Sequence, residues 1–204
     1  MAPETIPYDM STSIVPENMH DMANNPEQMK EGIEWLMQKF QATSAQEPSQ
    51  EQGTLLLRIG SYERTIGELE KAQKHIQAAR EIFRKLGNSE FIIAADLRLA
   101  TTYIYKGLLD LSENLFLECI KKITESPLDH KSQLLEYALT NYAKLFFERR
   151  HYQTCAKKLV EALELKLIMG DPQSIATQQK LIDMAQTMNS LSQKTPKTDN
   201  RTAS

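Results

Sequence analysis

LATTYIYKGLLDLSENLFLEC, residues 99–119, is the stretch on which the fold turns. Counted from Ala100, small residues stand at offsets 0, 7, 12 and 19: Ala100, Gly107, Ser112 and Cys119. The same ruler laid on IGSYERTIGELEKAQKHIQAA (59–79) meets Gly60, Gly67, Ala72 and Ala79. Laid on YAKLFFERRHYQTCAKKLVEA (142–162) it meets Ala143, Arg150, Cys155 and Ala162. Large apolar residues keep the register: Ile59, Leu99 and Tyr142 precede each start, and Leu69, Leu109 and Tyr152 stand nine after it. Ile76, Phe116 and Leu159 stand sixteen after it. Three copies, with starts 40 and 43 residues apart, make an internal repeat. A period of that length signals stacked units.

Each copy reads as two helices with a turn at offset 7. Apolar residues recur at intervals of three and four, and no alternating β-branched run is bounded by turn residues. Small side chains let two antiparallel helices approach to about 8–10 Å, while the large residues fill the gaps between them. One such pair cannot bury both of its faces, so pairs stack. The pattern predicts seven helices near 53–65, 68–85, 90–105, 108–124, 130–148, 152–168 and 173–190. The last carries Leu181, Met184, Ala185 and Met188 with no second helix after it, and reads as a solvating cap.

Outward from the repeats the composition changes. Four of the eight prolines (Pro3, Pro7, Pro16, Pro26) fall within the first 26 residues. Residues 1–52 carry nine acids against Lys30 and Lys39, a net −7; residues 53–193 sum to +2 and the remaining tail to +2. Residues 1–25 are expected to be a disordered acidic leader, with docking on a basic patch of the body as the sharper alternative. Asn25-Pro26 starts a short amphipathic helix over 26–42, carrying Ile33, Trp35, Leu36 and Phe40. Residues 43–52 read as a linker, 53–190 as the repeat domain and 191–204 as a disordered tail.

The small-residue ruler resembles the tetratricopeptide repeat (TPR) family, in a long-period variant of about 40 residues rather than 34. Similar long repeats occur in bacterial peptide-sensing regulators, signalling ATPase arms and kinesin light chains. The resemblance covers residues 53–190 and departs at Arg150, which replaces a turn glycine, and at Glu63, where an aromatic is common. It implies an all-α, right-handed solenoid of three helical hairpins plus a capping helix. It also implies a concave groove lined by the first helix of each pair. Projected onto this sequence, the lining is Thr54, Leu57, Arg58, Ser61, Ala94, Leu97, Arg98, Thr101, Tyr105, Tyr137, Thr140, Asn141, Lys144, Gln179 and Ile182. Arg58, Leu97, Arg98, Thr101, Tyr105, Asn141 and Lys144 are the candidate partner-binding set. That mixture suits a peptide with apolar anchors and acidic character. Trp35, Leu36 and Phe40 form a candidate secondary interaction helix. The family's carboxylate clamp is not carried over, because Leu57 and Ser61 occupy its first-repeat positions.

Other chemistry is weakly supported. No GxGxxG, P-loop, HExxH or GxSxG occurs, so neither a catalytic site nor a cofactor or metal is expected. His20, His75, His130 and His151 have no i, i+4 partner, and His75 is expected to be solvated. Cys119 and Cys155 stand on the ruler and are expected to be buried packing residues in a reducing, cytoplasmic setting. The pI near 5.9 and short, scattered Lys/Arg pairs argue against nucleic acid. No apolar run is long enough to cross a membrane. The expected activity is therefore protein or peptide binding as an adaptor or dedicated chaperone. A peptide-sensing or inhibitory regulator is the alternative, and an enzyme subunit a remote third. Exposed solenoid faces and the Trp35 helix also allow a homodimer.

Overall fold

The structure, a computed structural model, describes residues 5–43, 47–170 and 172–194. Among these residues eight helices follow a short β-hairpin. The hairpin strands are β1 (Thr12–Ile14) and β2 (Asp21–Ala23); the helices begin with α1 (Pro26–Thr43). Three helical pairs follow: α2 (Gln50–Thr65) with α3 (Leu69–Lys85), α4 (Ser89–Tyr105) with α5 (Leu109–Glu125), and α6 (Lys131–Glu148) with α7 (Tyr152–Met169). A last helix, α8 (Pro172–Lys194), closes the stack on α7. Helix α4 touches both α2 and α6, and each of the three touches its own partner, so α2, α4 and α6 form the inner layer of the solenoid.

The ruler explains the packing. Ala72, Ala79, Ala100, Ser112, Cys119, Ala143, Cys155 and Ala162 are all fully buried. A Cβ on Gly60 would lie 2.7 Å from Ile76 Cγ1 and 2.9 Å from the Ala72 carbonyl oxygen, which is why no side chain fits there. In the second copy the Ser112 hydroxyl donates to the Ala100 carbonyl at 2.8 Å, a contact only a small residue can make.

Offset 7 is the same backbone turn in every copy. Gly67, Gly107 and Arg150 have φ of 83°, 72° and 58°. The following amide reaches back five residues each time: Glu68 to Glu63 at 2.8 Å, Leu108 to Tyr103 at 2.9 Å and His151 to Phe146 at 2.8 Å. This left-handed cap satisfies carbonyls that the helix end would leave open. Arg150 adopts it without glycine's freedom. Glu63, placed where an aromatic is common, is buried and meets His75 Nδ1 at 2.7 Å. His75 is thus a cross-helix partner rather than the solvated residue expected.

Three core clusters follow the pairs. The first is built on Phe83, Leu56, Ile59 and Ile76, and takes in Met29, Ile33 and Leu36 of α1, so α1 covers the first end of the stack. The second joins α4, α5 and α6 around Phe116, Leu97 and Ile123. The third joins α6, α7 and α8 around Leu159, Phe147 and Leu181, and includes Met19 from the leader. Helix α2 begins at Gln50, three residues before the expected Gly53. Ser49 caps it in a reciprocal capping box with Gln52.

The leader departs most from expectation. Residues 5–24 were expected to lack structure and strands, yet Thr12, Ser13 and Ile14 pair antiparallel with Ala23, Met22 and Asp21. Val15 and His20 close the loop with an amide-to-carbonyl bond of 2.8 Å, and Asn18 Oδ1 accepts from the His20 amide at 2.9 Å. Met19, at φ 58°, is turned out of the ribbon into the third core cluster and is fully buried. A short polar strand pair is marginal alone; its anchorage to distant helices supplies what its own sequence lacks. The tail from residue 195 lies outside the described residues.

Candidate functional site: a groove and its occupant

The inner helices present a concave surface, and the hairpin sits on it. Tyr105, at the end of α4, stands at the centre. Its ring stacks on His20 with centroids 3.9 Å apart and planes 9° from parallel. The Tyr105 oxygen accepts from the Asp21 amide at 2.6 Å, and its hydroxyl lies 3.2 Å from Asp21 Oδ2. Lys144 of α6 donates to the same carboxylate oxygen at 2.9 Å. His20 Nε2 lies 2.8 Å from Glu148, and Met19 fills the space against Cys155 and its neighbours. Three consecutive leader residues thus offer an apolar plug, a flat ring and an anion.

The electrostatics follow from burial. Desolvation would raise the Asp21 carboxyl, but the Lys144 and Arg64 charges and the bonds from Lys144 and Tyr105 outweigh it and hold it low. His20 is pushed down to about 4, first by burial and then by Lys144. Tyr105 is raised, mainly by burial. Tyr137 goes the other way: burial would raise it, yet the charges of Arg64, Arg98 and Lys144 bring it below the ordinary phenol range. The groove is electropositive.

Beside the hairpin a cavity of about 400 Å³ remains open, lined by Ile14 and Asp21 of the leader and by residues of α2, α6, α7 and α8. Arg64, Tyr137, Asn141, Lys144, Lys166 and Gln178 are among its polar lining.

The structure scatters the projected lining. Tyr105 and Lys144 come together on Asp21, and Asn141 lines the cavity while donating to the Tyr137 carbonyl at 2.9 Å. Arg98 stacks over Tyr137 at 5.3 Å. Leu97 and Thr101 are wholly buried, Leu97 inside the second core cluster, so neither is exposed in the groove. Arg58 is half-buried on α2 and lies outside the cavity. On α8 the cavity meets Gln178 and Leu181 rather than the expected Gln179, a one-residue difference in helix phase. Leu36 belongs to the first core cluster, with Trp35 and Phe40 half-buried against it.

Two residues that line the cavity, Arg64 and Asp21, escaped the projection. Arg64 lies three residues beyond Ser61, on the same face, where the family's groove positions have ended. Asp21 belongs to a segment whose sequence gives no structural signal.

Among the described residues no group of three or more His, Cys, Asp or Glu side chains could hold a metal ion. None of the described helices is long and apolar enough to cross a membrane. Cys119 and Cys155 are buried and unpaired, and burial raises both thiols to about 12.

No protein-family model and no curated protein matches the sequence. Solved structures do. The chain is similar to a putative kinesin light chain with nearly identical TPR-like repeats from Podosopora anserina. The TM-score is 0.55 at 15% identity, over 82% of this chain and 81% of that one. It is also similar to BtubC (BKLC) from P. vanneervenii, with TM-score 0.54 at 13% identity, over 87% and 85% of the two chains. At such identities the likeness speaks for architecture, and the architecture is that of the TPR-like helical-repeat proteins.

Proposed function

We propose that this chain is a non-catalytic interaction module, an adaptor or dedicated chaperone of the cytoplasm, whose concave groove accepts a segment of a partner protein. The observation that carries this reading is the groove's present occupant. A peptide segment of the chain itself lies there, held by a buried side chain, a ring stack and an ion pair on the surface where TPR-like solenoids offer room. A partner segment with an apolar residue two positions before an acidic one would satisfy the same contacts.

Occupation in cis also favours a second reading, an inhibitory or sensing regulator whose leader must leave before a partner enters. The two readings separate in one experiment. A photo-crosslinking amino acid at Thr140, beside the cavity, is introduced into the wild-type chain and into a Met19→Asp chain in which the leader is released. Crosslinks to one partner in both chains support a constitutive adaptor. Crosslinks only after release support the regulator. No partner crosslink in either chain removes the groove from both readings.

A further inference from the structure

In an antiparallel ribbon every second residue turns its N–H and C=O away from the partner strand. The leader ribbon shows which residues those are. Asn24 donates to the Ser11 carbonyl at 3.1 Å, and Val15 to that of His20 at 2.8 Å. Between them Thr12 faces Ala23, Ser13 faces Met22 and Ile14 faces Asp21, so Ser13 and Met22 are the next bonded pair. Thr12, Ile14 and Asp21 therefore direct their backbone groups outward. On β2 an outward amide is used: that of Asp21 donates to the Tyr105 oxygen at 2.6 Å. On β1 the outward N–H and C=O groups of Thr12 and Ile14 meet no third strand and no hydrogen-bond partner among the described residues.

Open edges are ordinarily guarded by a charge or a proline. Residues 10–15, MSTSIV, carry neither, and Thr12, Ile14 and Val15 are β-branched, the type that suits a pleated strand. The edge also has room beside it. Ile14 and Asp21 share one face of the ribbon and line the cavity of about 400 Å³, which extends to Ser174, Thr177 and Leu181 of α8. Met22, on the other face, is 54% exposed. A strand added about 4.8 Å from β1 sets the side chain opposite Ile14 on the inner face, over that cavity. The ribbon is already held by Met19, His20 and Asp21, so the ordering cost of pairing falls on the incoming segment alone. A second folded copy fits poorly, because its own β1 would bring its helices into a groove bounded by α8.

We propose that β1 is a strand-addition edge: an extended partner segment pairs with it antiparallel, exchanges backbone bonds with Thr12 and Ile14, and sets a β-branched side chain over the cavity between Ile14 and Leu181. Recognition is mainly of backbone, with alternate side chains supplying selectivity. The docked leader is then half of the binding surface. The proposal rests on the groove reading only in taking the segment to be a partner's.

The test follows amide hydrogen exchange of the full chain by NMR with an uncharged probe, acetyl-Thr-Val-Thr-Val-Thr-amide, and two N-methylated twins. One twin is methylated on both valines, which face β1 when their side chains enter the cavity, and the other on the middle threonine, which faces away. The parent and the threonine twin are expected to slow exchange at Thr12 and Ile14 saturably, by roughly tenfold or more, and the valine twin to leave it unchanged. Thr12→Pro removes one outward N–H and no ladder bond, and is expected to weaken the parent peptide roughly tenfold while the Asp21 amide stays protected. If that amide loses protection, the methylated pair decides alone. The proposal is overturned if the parent has no effect, if the valine twin acts equally, or if Thr12→Pro binds undiminished. Slow exchange at Thr12 and Ile14 without peptide also overturns it: if concentration-dependent, a second copy holds the edge, and if not, the chain itself does. A partner that crosslinks at Thr140 equally well in Thr12→Pro overturns the edge and leaves the groove reading standing. Peptide pairing at β1 with no partner crosslink at Thr140 does the reverse.

Discussion

Replacing Met19 by Ala should release the leader while sparing the repeats. Met19 is fully buried among Ala143, Phe147, Cys155 and Leu159, and among the described residues it is the only one of the leader fully enclosed there. Truncating a buried Met to Ala costs about 2–5 kcal/mol when the cavity stays open. A hairpin laid on a surface relaxes more readily than a helix, so the lower end, about 2 kcal/mol, applies. The remaining anchors are the His20 stack and the Asp21 contacts. A loss of about 2 kcal/mol shifts the docked–undocked ratio roughly 30-fold. Native-state hydrogen exchange measures that shift directly. The Asp21 amide, held by the Tyr105 oxygen, and the Met19 amide, held by the Val15 carbonyl, should exchange roughly 30-fold faster. Amides in the middle of α4 should keep their protection. Equal acceleration throughout would show that the hairpin belongs to the global folding unit. Unchanged exchange at Asp21 would show that Met19 does not anchor it.

Acidification should loosen the same contact. His20 titrates near 4 when docked and near 6.5 when free, so docking stability is complete above about 6.5 and is lost as pH falls from there toward 4. Lys144, Asp21, Arg64 and Glu148 all face the ring; at pH 5 the penalty reaches about 2 kcal/mol. Proteolysis between Tyr8 and Asn24 should quicken on going from pH 7 to pH 5 in wild type. In His20→Phe, which keeps a ring against Tyr105, that acceleration should vanish. Arg150→Gly should raise the melting temperature, because the exposed Arg150 sits at φ 58° and relief of a left-handed residue is worth roughly 1 kcal/mol; a lower melting temperature would refute the strain. Ala72→Trp should abolish cooperative melting, since Ala72 has no exposed surface and its carbonyl backs onto Gly60; a soluble chain with an unchanged transition would refute the register.

The helices were legible because the sequence repeats three times and each copy carries the same steric demand. Offset 7 could be read as a turn even at Arg150, whose residue type argues against it, because the neighbouring copies supply Gly67 and Gly107. Ser49 and Gln52 form a capping box that was also written in the sequence, hidden inside a stretch whose Pro48 and polar residues read as linker. The inner face was less legible. Helix α4 is wrapped by α2, α3, α5 and α6, with Leu97 and Thr101 buried alongside Ile93 and Ile104, so no single apolar stripe marks which side faces the groove. The hairpin was illegible for a different reason. Its strands are three residues long, and its stability comes from Tyr105, Lys144 and Cys155, more than 80 positions away. Local pattern carries no trace of such partners.

A stack of helical pairs is ordinarily a one-dimensional object in which each unit feels only its neighbours. This one has a clasp. The leader is continuous with α1, which covers the first core, and its Met19 is inserted into the third. The leader therefore ties the first core to the third across the middle pair, which it touches at Tyr105 of α4. A displacement at α8 should reach the opposite end by two routes, through the stacked pairs and along the leader. With the clasp shut the array should behave as a stiff closed frame of fixed curvature, and with it open as a spring that can widen around whatever it holds.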